Sequence, residues 1–314
     1  MGNKDLVKLA LNTLNCSQKE LALRFGVSPT QITKWKKGEH MSQEMEEKLR
    51  AILDIGDKDP SFVLWAGSLQ EANKWEKLLH FLADSALENA ETGYDTYPLH
   101  DDLGLLGWYT FDVLRKMGVD IPKKFPEELD GIVCNSGDEE PWDLVEENQY
   151  ASLIYDIYAS LNDVFGFYVA YIDELMNDEE LMDTPAVNIE PCLMDLAACK
   201  IEVDQGLAPN FRRFRQTVMK DYEEWINIIK ENAFRSGTPL RAELMEIVYG
   251  HHEKIGHQAE AESLGFNSTQ LHPDIYMNEL LCGMRAIHQI LPAIMKKLGI
   301  YEEFKLDTSD FHIG

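Results

Sequence analysis

At 314 residues the chain has room for more than one hydrophobic core, and 29 Lys and Arg against 55 Asp and Glu leave it at −26. So acidic a surface does not hold a phosphate backbone by itself, and no run approaches the roughly 18 uninterrupted apolar residues of a membrane span. Cys16, Cys134, Cys192, Cys199 and Cys282 form neither a CxxC pair nor a zinc-ribbon spacing, and their odd number argues against a disulfide framework. With no apolar signal core at the N-terminus, a cytoplasmic protein is expected.

The charge is unevenly spread. From Met1 to Gly38 there are seven Lys or Arg and two Asp or Glu, a net +5, whereas residues 59–314 carry 19 basic and 47 acidic side chains, a net −28. The basic end contains SQKELALRFGVSPTQITKWKKG, Ser17 to Gly38. Ser17 followed three residues later by Glu20 is a capping box, and Ser28 before Pro29, with Gln31 three on, is a second helix start. Gly26 supplies the left-handed backbone that ends the first helix, so the chain reverses within Gly26, Val27 and Ser28. Leu21, Ala22 and Phe25 are expected to pack against Val27, Ile32 and Trp35. Two short capped helices joined by such a turn make a helix-turn-helix.

These residues resemble the Cro/phage-repressor type, or XRE family, of helix-turn-helix DNA-binding domains over residues 3–55. Ser17-Gln18 opens the second helix, Gly26-Val27-Ser28 makes the turn, Ile32 and Trp35 point inward, and Gly38 closes the recognition helix. Met41 departs from the pattern, since the family often has proline there. The resemblance implies that the recognition helix enters the major groove with Ser28, Pro29, Thr30, Thr33 and Lys34 against base edges. It implies phosphate contacts from Gln18, Lys36 and Lys37, which set register and salt dependence without reading sequence.

Ser42 begins a fourth helix running to about Leu53, and Gly56-Asp57-Lys58-Asp59-Pro60 breaks the pattern as a short linker, dividing a domain of residues 1–58 from one of residues 59–314. Beyond it the apolar period is mostly near 3.6. The pattern predicts helices over residues 69–90 and 102–117, a long core helix from Pro141 to about Leu175, and further helices over residues 211–233, 239–264 and 273–298, the last kinked at Pro292. The fold class is therefore mainly α: an N-terminal helix-turn-helix bundle and a larger, predominantly helical acidic domain.

Around PLHDDLG the large domain resembles in part the HD-type metal-dependent phosphohydrolases, which bind metal through a histidine, a His-Asp dipeptide and a later aspartate. The matching positions are His80, His100 and Asp101; the competing reading is that His100-Asp101 begins a helix, its acids favoured by the helix dipole. In YGHHEKIGHQAEAE, His252 and His257 with Glu253 and Glu260 share a helical flank, a pattern more common on solvated surfaces than in zinc sites. The stretch Glu127 to Glu147 holds nine carboxylates and no Lys or Arg, read as solvated or as folding back on the positive reader helix. Phe211-Arg212-Arg213-Phe214-Arg215 is a dense basic patch, read as an amphipathic helix with its phenylalanines inward or as a grip for an anion.

A sequence-specific DNA-binding regulator is thus expected, binding double-stranded DNA as a homodimer on a palindromic operator, with a small-molecule or protein effector on the helical domain, no membrane partner and no cofactor. The rivals are a metal-dependent phosphohydrolase with a DNA-targeting domain, and an antitoxin-like or prophage interaction protein.

Overall fold

The computed structural model describes residues 3–134, 141–236, 287 and 290–301, and every regular element among them is helical. Met1–Gly166 with Asn188–Glu223 form one compact unit; Phe167–Val187 with Glu224–Gly314 form a second.

The first unit begins with α1 (Asn3–Thr13), which buries Leu6, Val7, Leu9 and Ala10 at the spacing of one helical face. The predicted capping box is present at the start of α2 (Gln18–Phe25): Glu20 N–H donates to Ser17 Oγ at 3.3 Å, and Ser17 N–H donates to Glu20 Oε2 at 2.7 Å. Gly26 ends α2 at φ 66°, and Val27 N–H returns to the Ala22 carbonyl at 3.0 Å. Ser28 then caps α3 (Pro29–Lys36) by accepting from Gln31 N–H at 3.2 Å. After α4 (Gln43–Leu53), Leu49, Leu53 and Ile55 complete a core with Leu21, Ala22, Ile32 and Trp35. Phe25 and Val27 are only half-buried. Met41 is buried, so the residue that departs from the family pattern fills core volume.

Residues 56–59 are tied down on both sides. Arg50 Nη1 donates to the carbonyls of Gly56 (3.1 Å) and Lys58 (3.0 Å), and Lys58 Nζ meets Glu76 at 2.6 Å. Asp59 accepts from the N–H groups of Ser61 (2.7 Å) and Phe62 (3.3 Å) to start α5 (Pro60–Ala66). This helix packs on α1 and on the two helices that follow, α6 (Leu69–Glu88) and α7 (Leu106–Met117). Ser61 Oγ donates to Asp5 of α1 at 3.3 Å.

The centre of the unit is aromatic. Trp75 of α6 is buried, with the rings of Phe111 and Phe125 edge-on at 5.4 and 5.1 Å and that of Tyr150 at 6.4 Å; Phe62 of α5 meets Phe111 at 4.9 Å. Edge-to-face pairs of this kind add to what burial alone contributes.

Several helix boundaries differ from expectation. α6 ends at Glu88, two residues early. α7 starts at Leu106 rather than Asp102: Asp101 takes a left-handed φ of 56° and Gly104 one of 64°, making a turn, and Asp101 Oδ1 accepts from Leu106 N–H at 2.8 Å. His100-Asp101 therefore precedes a turn and does not begin a helix. The long helix predicted from Pro141 is divided. Following α8 (Asp130–Cys134) come α9 (Pro141–Glu147) and α10 (Gln149–Phe167), with buried Asn148 between them accepting from the N–H groups of Tyr150 (3.0 Å) and Ala151 (3.1 Å). An asparagine at a helix start supplies the acceptor the first turn lacks, which outweighs the continuity of the apolar pattern.

A π turn, Tyr168–Ile172, leads to α11 (Asp173–Met176) and α12 (Glu179–Met182). In the first unit α13 (Leu193–Lys200) packs on α7, where Lys116 bridges Asp112 (2.9 Å) and Asp195 (2.8 Å). Tyr158 and Thr110 share a buried hydroxyl hydrogen bond of 2.6 Å. The final long helix, α14 (Phe211–Ser236), buries Phe214, leaves Phe211 half-buried and leaves Arg212, Arg213 and Arg215 exposed. In the second unit Ile226 and Ile229 are buried and Asn232 donates to Asp178 at 3.0 Å. Residues 290–298 are helical. The helix expected over 239–264, the histidine cluster with His252 and His257, and the last helix before residue 287 lie outside the described residues.

Gly67, after α5, has φ 101°, and a Cβ there would lie 2.5 Å from the Lys123 carbonyl oxygen. Gly67→Ala is expected to lower stability by at least about 2 kcal/mol, combining left-handed strain with a backbone clash. Gly26→Ala, left-handed at φ 66° but with nothing within 4 Å of its Cβ, is expected to cost about 1 kcal/mol. Urea denaturation of both variants checks the order; an equal loss refutes the clash.

Candidate nucleic-acid interface

The surface of α3 follows from the burial of its other face. Ile32 and Trp35 are 1% and 4% exposed, and Trp35 Nε1 donates to the His40 carbonyl at 3.2 Å, which fixes the helix about its own axis. The residues between them, Thr33 and Lys34, and those on the same outward flank, Ser28, Pro29, Thr30, Lys36 and Lys37, are all exposed. All the positions named from sequence thus lie on one short helix and its cap, except Gln18.

Gln18 is at the first position of α2 and meets α3 directly. Thr33 Oγ1 lies 3.3 Å from Gln18 Oε1 and 3.0 Å from the Pro29 carbonyl, donating toward both. The candidate phosphate residue and a candidate base-reading residue are therefore in direct contact. Ser28 Oγ serves as the helix cap, while the hydroxyl of Thr30 makes no hydrogen bond among the described residues. Lys34 Nζ lies 3.6 Å from Glu39 Oε2, both side chains being half exposed. Glu39 was missed in sequence; a carboxylate five residues after Lys34, just beyond Gly38, was the available signal. Such exposed pairs contribute little and release readily.

At the base of the motif, hydrogen bonds from the Ser17 backbone N–H and then its side chain hold the Glu20 carboxyl below the usual range, so the capping box stays charged at neutral pH. Three carboxylates of the acidic stretch have local partners: Glu127 pairs with Lys124, Asp130 with Lys74 at 2.7 Å, and Glu128 accepts from Asn148 at 2.9 Å.

The three positions that resemble an HD metal site do not converge. His80 Nε2 meets Asp101 Oδ2 at 2.8 Å, but His100 Nε2 meets Asp95 Oδ1 at 2.5 Å, and among the described residues no three His, Cys, Asp or Glu side chains are grouped to hold a metal. His80 and Asp101 form an ion pair bracing the turn before α7. The hydrogen bond to Asp101 raises the His80 pKa. Burial pushes Asp101 up, and hydrogen bonds from His80 and from Leu106 N–H outweigh it, leaving that carboxyl below its usual value. His80 therefore contributes stability that is full below its unfolded pKa and is lost as pH rises through the raised folded value; Asp101 contributes stability that is full above its unfolded pKa and is lost as pH falls through the lowered folded value. The pair contributes most between about pH 4 and about pH 6.5. Asp101→Asn, which keeps a residue tolerant of positive φ, is expected to lower stability on the order of 1 kcal/mol at pH 5.5, because His80 is half exposed, and by less at pH 9. Urea midpoints at the two pH values check this, and a loss as large at pH 9 contradicts it.

A helix-turn-helix family model matches residues 7–55. No curated protein matches the chain, and no solved structure does. The capped helices, the glycine turn and the outward face of α3, together with that match, identify the N-terminal region as a helix-turn-helix DNA-binding domain of the XRE type.

Proposed function

We propose that this protein is a sequence-specific transcriptional regulator, a repressor that binds a palindromic operator as a homodimer. The observation that carries this reading is the exposed face of α3, where Thr30, Thr33 and Lys34 stand clear of the core at the end of the chain that holds a net +5 against −26 overall. Positive charge there draws the duplex, and the hydroxyls and ammonium have the donor and acceptor chemistry of base edges.

In this reading Ser28, Pro29, Thr30, Thr33 and Lys34 read bases, and Gln18, Lys36 and Lys37 hold phosphates. The contact between Thr33 and Gln18 couples the two sets: whatever fixes Gln18 on the backbone also orients Thr33. Residues 1–58 are the reader, and residues 59–314 hold the dimer and set its activity. Two readers one DNA turn apart multiply a weak half-site affinity.

Genomic binding-site mapping of the full-length protein supplies the operator, and titration of that operator against single variants tests the assignment. Lys36→Ala and Lys37→Ala are each expected to weaken binding to all sequences and to reduce the salt slope by about 1. Thr30→Ala is expected to relax preference at one or two base positions with the slope unchanged, and Lys34→Ala to weaken operator binding by about 1–3 kcal/mol if it contacts guanine. Wild-type binding by all four variants removes α3 as the reading element, and a monomer on a single half-site in sedimentation removes the dimer.

A further inference from the structure

In the first unit a cleft of about 450 Å³ lies between the 3₁₀ turn Tyr97–Leu99, the turn before α7, and the start of α13. Its floor is apolar: Leu106, Leu161, Leu193 and Met194 reach it with exposures of 2%, 1%, 4% and 7%. Its mouth carries two large hydrophobic side chains left in water, Leu103 at 80% exposure and Tyr97 at 51%. Pockets that take small organic molecules have this size and this mostly apolar lining with a few converging polar groups.

The polar groups have one sign. Asp101, Asp102 and Glu190 line the cleft, and among the described residues no Lys, Arg or His does. They differ in their partners. Asp101 is held by His80 Nε2 and by Leu106 N–H, with its side chain 7% exposed, so its charge is fixed close to the apolar floor. Tyr97 Oη donates to Glu190 Oε1 at 3.3 Å, anchoring that carboxylate across the opening. Asp102 is exposed and makes no ion pair among the described residues. The rings of Tyr97, packed edge-on to Phe165 at 4.7 Å, and Tyr109, packed edge-on to Trp108 at 5.0 Å, also border the space, and aromatic rings of this kind attract cations. An apolar wall next to fixed negative charge strengthens the field inside and repels anions.

We propose that this cleft binds a small cationic molecule with an apolar body, such as a lipophilic amine, quaternary ammonium or phosphonium ion. The apolar part displaces water from Leu161, Leu193 and Met194, and the positive centre sits among Asp101, Asp102 and Glu190 with the tyrosine rings alongside. A neutral molecule of the same shape leaves the carboxylates uncompensated, and an anion meets them directly. The site goes beyond DNA recognition and stands whether or not α3 reads an operator.

Calorimetric titration of the full-length protein, without DNA, with tetraphenylphosphonium and with tetraphenylborate tests it, since the two ions share a shape and differ in charge sign. Saturable one-to-one binding of the phosphonium, with the borate at least tenfold weaker, is expected. The double variant Asp102→Asn/Glu190→Gln, at exposed positions, is expected to weaken phosphonium binding at least tenfold with an unchanged melting temperature. Leu103→Arg, which sets a cation at the mouth on a largely solvated side chain, is expected to weaken it likewise. Equal affinity for both ions, wild-type phosphonium binding by both variants, or no saturable phosphonium binding up to millimolar concentration overturns the proposal.

Discussion

The packing of α5 between α1 on one side and α6 and α7 on the other is the contact on which the first unit depends. Seven residues long, α5 is too short to persist in isolation. It exists because Asp59 caps it, Pro60 pre-sets its first turn, and Phe62, Val63 and Ala66 are buried on both sides. Through it the helix-turn-helix bundle shares a continuous apolar interior with the Trp75–Phe111–Phe125 aromatic cluster. Well-packed interiors transmit displacement because they contain no slack.

That continuity gives the turn before α7 its mechanical setting. Asp101 occupies a left-handed conformation that costs most side chains about 1–2 kcal/mol, and the His80 and Leu106 contacts over-determine it. The same residue that braces α7 also faces the cleft, so charge at the cleft and the position of the α7 N-terminus are linked through one carboxylate. α7 in turn carries Gly107 against the Phe62 ring of α5, where even a methyl group would come within 2.9 Å. A physical chain of contacts therefore runs from the cleft through α7 and α5 to α1.

The helix-turn-helix was legible in sequence because its determinants are local. Ser17 with Glu20, Gly26, Ser28 and Pro29 act within four residues of the backbone they direct, so their chemistry is read without knowing what lies across the core. The exposed face of α3 followed from the spacing of Ile32 and Trp35. The long amphipathic run after Pro141 was also visible as helix, but its division at Asn148 was not, because a buried asparagine side chain competes with the apolar period and that period dominates a sequence reading. The late start of α7 was hidden for a similar reason: Asp101 reads as a good first-turn acid, and only its partners His80 and Leu106 N–H explain the turn.

By itself the sequence determined the helical class, the concentration of positive charge in the first 38 residues against an acidic remainder, and the residues on the outward face of α3, since each depends on periodicity, capping or charge along the chain. Tertiary structure alone decided that His80 pairs with Asp101 while His100 turns to Asp95, that Gln18 meets Thr33, that α5 joins the helix-turn-helix to the aromatic core, and that Tyr97, Asp102, Glu190 and Met194 border one cleft. Those pairings bring together residues up to about a hundred positions apart, and no local rule of spacing encodes which distant side chains meet when several helices pack at once.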